Sequence, residues 1–94
     1  MCMVSRTVEI YKALADETRL SLVHKLANID KPTPSCDLVK SCASFLKLSQ
    51  PAMSHHFGKL VDADIFIEEK HGVHKVYILN RKLLESVGIN ADKL

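Results

Sequence analysis

Ser54, His55, Gly58 and Lys59 fall on one side of a helical stretch running from about Ser49 to Ala63, with Pro51 and Asp62 completing that side. Their chemistry is hydrogen bonding and anion neutralisation rather than bond making. Small donors in the first half of a helix suit base edges and phosphates, and a glycine lets another backbone approach closely. A helix that needed only solubility would usually carry Glu and Lys pairs there. Ser54 and His55 are sequence neighbours whose side chains diverge by about 100° on a helix, so they do not form a nucleophile–base pair. With no glycine-rich phosphate cradle either, an enzyme is not expected. The other histidines read more plainly. His56 borders the apolar stripe and is expected to be packed and hydrogen-bonded, and His24 to be structural or superficial. His71 and His74 flank a hairpin tip, where contact with phosphate is a simpler use than metal binding.

The elements that position this face follow from capping and periodicity. Ser49 can cap the helix, and Pro51 suits its first turn because the missing N–H would have had no intrahelical partner. Met53, Phe57, Leu60 and Val61 form the opposing apolar stripe. Asp64 tolerates the left-handed stop expected after Ala63. Residues 65–70 and 73–79 are rich in β-branched types around His71-Gly72, a hairpin with a short basic tip.

Upstream, Val4 to Ala15 reads as a helix with Val4, Val8, Tyr11 and Ala15 on one stripe and Ile10 and Leu14 beside it. Such breadth of apolar surface in so small a chain predicts a subunit interface on one side. Asp16 can cap a second helix to about Ala27, with Leu20, Leu22, Val23, Leu26 and Ala27 inward and Arg19 and Lys25 exposed. The prolines of segment 28–34 interrupt the helices. Ser35 is the expected cap of a third helix, and Asn80 of a short last one ending near Gly88. The order helix, helix, helix, helix, hairpin, helix predicts a mainly α fold with a small β-hairpin, a winged helix-turn-helix forming one domain over residues 1–94. The recognition helix occupies about 49–63 and the wing about 65–79.

Composition is compatible with this and decides little. The net charge of +2 is mild, and Asp62, Asp64, Glu68 and Glu69 dilute the basic residues between Lys47 and Lys75. The near absence of aromatic platforms argues for duplex rather than single strands. Three cysteines without an apolar leader suggest a reducing cytoplasm, and no run is long enough to span a membrane.

At Lys12-Ala13-Leu14-Ala15-Asp16-Glu17-Thr18-Arg19-Leu20, Cys36-Asp37-Leu38, Leu48-Ser49-Gln50-Pro51-Ala52-Met53-Ser54-His55-His56 and Val76-Tyr77-Ile78-Leu79, the chain resembles the ArsR/SmtB family, small bacterial winged-helix repressors. The resemblance spans roughly residues 8 to 80. It implies a homodimer joined through the first and last helices, recognition helices in successive major grooves of an operator, and release by an inducer. The family's DNA-contacting positions fall on Gln50, Ser54 and His55. Ser49 and Lys59 border them, and the wing from Lys70 through His71 and His74 to Lys75 would lie near flanking phosphates. The family's metal-sensing members carry Cys-x-Cys ahead of Asp-Leu, and Pro34 stands in the first cysteine's place here. Cys36 and Cys42, about 240° apart around a helix, do not share a face, and residues 80–94 lack the histidine of the family's other metal site. No cofactor is therefore expected. The thiol pair left to consider is Cys2, on an N-terminal arm, with Cys36, which could bind a thiophilic metal or undergo thiol oxidation. The alternative to a DNA-binding regulator is a winged helix used as a protein-interaction or assembly module.

Overall fold

The computed structural model describes the backbone of residues 2–29 and 33–93 and the side chains of residues 5–29 and 34–93. Among the described residues, five α-helices and three strands succeed one another as α1 (Cys2–Leu14), α2 (Glu17–Ala27), β1 (Thr33–Pro34), α3 (Ser35–Leu46), α4 (Gln50–Asp62), β2 (Phe66–His71), β3 (His74–Leu79) and α5 (Arg81–Ser86). A 3-10 turn at Ala91–Lys93 follows. Helix breaks are enforced locally. The Asp16 carboxylate accepts from the Arg19 N–H at the start of α2, and Ser49 and Asn80 do the same for Ala52 and Leu83 at the starts of α4 and α5. Each satisfies a backbone donor that the helix cannot. Lys47 and Asp64 adopt left-handed φ values of 57° and 62° at the ends of α3 and α4.

Several expectations need correction. Pro34, not Ser35, occupies the N-cap of α3, and no side chain caps that helix. Thr33 and Pro34 form a third strand, pairing antiparallel with Tyr77 and Val76 of β3 to give the order β1-β3-β2. A proline is tolerated there because an edge strand need not donate from every residue. The remainder of the predicted break, residues 30–32, lies outside the described residues. Leu20 is exposed rather than inward, and Arg19 and Lys25 are half-buried rather than exposed, whereas Leu22, Val23, Leu26 and Ala27 are buried as expected. Cys2 opens α1 instead of lying on an arm, and its side chain is outside the described residues.

One apolar core joins these elements. Ile10 and Leu14 of α1, Leu22, Val23 and Leu26 of α2, and Leu38, Cys42 and Ala43 of α3 meet Met53, Phe57 and Leu60 of α4, Ile65 and Phe66, and Leu84. Phe57 is fully buried, with ring centroids 4.9 Å from Tyr77 of β3 and 5.5 Å from Phe66 of β2. The recognition-helix stripe thus packs directly onto the base of the hairpin. Tyr77 is half-buried, and desolvation, reinforced by the neighbouring Glu68 carboxylate, pushes its phenol above the ordinary range.

Candidate nucleic-acid interface

Helix α4 keeps its two chemistries on separate faces, with Val61 of the apolar stripe only half-buried. Met53, Phe57 and Leu60 are buried, whereas Gln50, Pro51, Ser54, His55, Gly58, Lys59 and Asp62 are all exposed. Ser49, also exposed, commits its oxygen to the Ala52 N–H at 3.2 Å, so its role at the helix start is capping. Pro51 falls in the first turn, and Gln50 beside it extends from the end at which unpaired N–H groups give the helix its positive pole. Ser54 and His55 follow one turn further on, and Lys59 another turn beyond. A Cβ built on Gly58 meets nothing within 4 Å. That point of the surface is open, and the absence of a side chain there keeps the helix flank low.

The hairpin places a second polar group of side chains on the surface. Strands β2 and β3 pair from Phe66 with Leu79 up to His71 with His74. Gly72 opens the two-residue loop at φ +69°, a conformation that costs glycine little and other residues more. This register sets Lys70 directly opposite Lys75. Like charges facing one another across a strand pair are destabilising, and only part of that repulsion is offset. Lys75 lies 3.5 Å from Glu68, and His71 lies 3.5 Å from Glu69. Val73 projects from the tip almost wholly into solvent, 94% exposed.

Behind α4, a polar cluster ties the helix to its neighbours. His56 is half-buried, and the Arg19 Nη1 donates to its Nδ1 at 3.3 Å. The same guanidinium donates from Nε to the Ala13 carbonyl at 2.6 Å, and the Asp16 carboxylate stands 3.9 Å from the imidazole. The Arg19 N–H bond holds the Asp16 carboxyl below its ordinary pKa against an opposing effect of partial burial, aided by the charge of the Arg19 guanidinium. His24 is exposed on α2.

The two described cysteine side chains differ sharply. Cys36 is exposed, its Sγ 3.8 Å from an Asp37 carboxylate oxygen. Cys42 is buried, and burial pushes its thiol pKa up, with Lys25 acting weakly in the other direction. Among the described residues no group of three or more His, Cys, Asp or Glu side chains is arranged to hold a metal ion. An open cleft of about 600 Å³ lies between α2 and α3, lined by Leu20, Leu22, Cys42, Phe45 and Leu46, with Lys25 at its edge. It shares no residue with the outer face of α4. Leu20, expected in the core, lines it instead.

A helix pair ending in an outward polar α4, braced by a hairpin, defines a winged helix-turn-helix regulator. Comparison with known proteins narrows the class. Residues 16–66 match the family described as bacterial regulatory proteins of the arsR family. An arsenical resistance operon repressor of Staphylococcus xylosus is 32% identical over 83 residues, covering 88% of this chain and 74% of that protein. The chain belongs to the ArsR family, and is accordingly a DNA-binding transcriptional repressor and not an enzyme. Solved structures share the fold. An ArsR-like transcriptional regulator from Rhodococcus sp. RHA1 superimposes with a TM-score of 0.74 at 21% identity, covering 93% of this chain and 76% of the other. A homodimeric winged helix-turn-helix DNA-binding domain from Mycobacterium bovis, a possible ArsR-family regulator, gives 0.70 at 16% identity, with 92% and 74% covered.

Proposed function

We propose that residues 1–94 act as one winged helix-turn-helix domain that binds a specific operator as a homodimer and leaves it when an inducer binds. The observation that carries this reading is the exposure of the outer face of α4 while Met53, Phe57 and Leu60 of its inner face are fully buried. Gln50, Ser54 and His55 read or position bases in the major groove, Ser49 fixes the helix start against the backbone, and Lys59 neutralises phosphate. Lys70, His71, His74 and Lys75 meet flanking phosphates, whose charge offsets the repulsion between the opposed lysines.

The apolar side of α1 supports a second subunit at that face. Val8 and Tyr11 remain 44% and 47% exposed, and the Tyr11 hydroxyl donates to the Val87 carbonyl at 2.7 Å. That bond sets α1 beside the end of α5, so a second copy seated on α1 would lie close to both helices. Two recognition helices related by a two-fold axis then reach half-sites about 34–36 Å apart. Such a regulator works in the cytoplasm, and among the described residues no helix is long and apolar enough to cross a membrane.

Fluorescence anisotropy of reduced, metal-free protein on duplex from its own upstream region, with a scrambled duplex as control at two salt concentrations, tests the reading. Salt-steep binding that prefers the upstream duplex is expected. Equal, weak binding to both at either salt would favour a protein-interaction module instead.

A further inference from the structure

We propose that Arg19 and His56 are positioning residues for DNA recognition, a latch that fixes the angle between the recognition helix and the helix that faces the second subunit. The assignment rests on the dimeric operator-binding reading above.

The geometry begins with the Arg19 guanidinium. It is always protonated and offers donors only, so a 3.3 Å contact from Nη1 to His56 Nδ1 requires a lone pair on Nδ1. His56 therefore carries its proton on Nε2. The 3.9 Å approach of Asp16 to the same nitrogen is too long to compete for it as a hydrogen bond. The other branch of Arg19 reaches the Ala13 carbonyl at 2.6 Å. Ala13 lies in the last turn of α1, where carbonyls have no intrahelical donor and the helix pole is negative. One planar side chain thus closes the end of α1 and grips the middle of α4, and Asp16 holds the Arg19 backbone at 3.0 Å from beneath.

The functional consequence follows from where these helices lead. Helix α1 carries the exposed Val8 and Tyr11, and α4 carries Gln50, Ser54 and His55. His56 lies next to the groove-facing His55 yet is turned inward. Any rotation of α4 relative to α1 changes the separation of the two recognition helices in the dimer, and specific contacts depend on that separation whereas phosphate attraction does not. A lysine at position 19 keeps the charge but cannot span both acceptors, because it presents a single point of donation. Asparagine at position 56 keeps an acceptor close to the place of Nδ1.

The test is a double-mutant cycle on full-length protein, read as affinity for the upstream and scrambled duplexes, with circular dichroism confirming that each variant is folded at the assay temperature. Arg19→Lys and His56→Leu are each expected to lose about tenfold on the upstream duplex, the double variant no more than the weaker single, and all of them less than about twofold on the scrambled duplex. His56→Asn should return most of the loss. Losses that multiply in the double variant, or that are equal on both duplexes, would overturn the latch while leaving operator recognition standing. Wild-type protein that shows no preference between the duplexes would overturn both. If Arg19→Lys does not fold, the comparison of His56→Leu with His56→Asn decides, and equal loss in the two refutes the latch.

Discussion

Phe57→Leu isolates the contact that makes recognition helix and wing one body. Phe57 is fully buried and packs against Tyr77 at 4.9 Å and Phe66 at 5.5 Å between centroids. Leucine keeps most of the apolar transfer free energy, since burial of either side chain contributes about 1.5–3 kcal/mol. What it loses is the attraction between rings, about 0.5–1.5 kcal/mol beyond burial, and the fit of the site, where unfilled space costs about 24 cal/mol per Å³. The sum is a loss of about 1–2 kcal/mol. Full truncation to alanine would cost about 3–5 kcal/mol, too large a share of the roughly 5–15 kcal/mol that holds a domain together for a clean measurement. Urea denaturation followed by circular dichroism gives the change directly from the midpoint if the slope is unchanged. Thermal denaturation should show a fall of about 4–16 °C, given about 4–8 °C per kcal/mol for a domain of this size. A change below about 0.5 kcal/mol, the range of ordinary surface substitutions, would refute the argument that these rings bind α4 to the hairpin.

Three further outcomes are expected. Asp16 has a lowered pKa, so its contribution to stability is present above the unfolded value near 3.8 and is lost as the pH falls through the lower folded value. The melting temperature of Asp16→Asn should therefore lie below wild type at neutral pH and converge with it in acid, and a gap that widens in acid would contradict the sign. Tyr11→Glu puts a charge on the exposed side of α1 and should shift the protein from dimer to monomer in sedimentation velocity, with loss of operator binding. An unchanged dimer would move the interface elsewhere. With a thiol reagent on native protein, Cys36 should react rapidly and Cys42 only on unfolding, because the buried Cys42 thiol is both shielded and biased toward its unreactive protonated form.

The features legible in the sequence are those decided within a few residues. Asp16, Ser49 and Asn80 each accept from the N–H three residues on, and the left-handed stop at Asp64 follows from one side chain's tolerance. The inner and outer faces of α4 were legible as well, because its apolar and polar residues alternate at the helical period without conflict. The strand at Thr33–Pro34 was not. Its partners are Tyr77 and Val76, far along the chain, and two residues carry no period from which to infer a pairing. The edge of the buried face of α2 was misjudged for another reason. Leu20 and Leu22 stand about 200° apart around a helix, so both cannot face one core, and Arg19 is drawn inward by the Ala13 carbonyl and His56, neither of which local pattern reveals. The chemistry of the candidate interface was therefore visible as residue types, while the polar cluster that braces it from behind required the fold.

The claim that α4 reads sequence is tested most directly by comparing Gln50→Ala with Lys75→Ala on operator and scrambled duplex in parallel titrations at one salt concentration. Gln50→Ala is predicted to lose about 1–3 kcal/mol on the operator and little on the scrambled duplex, and Lys75→Ala to weaken both alike. Equal losses for Gln50→Ala on the two duplexes would contradict base reading by this face.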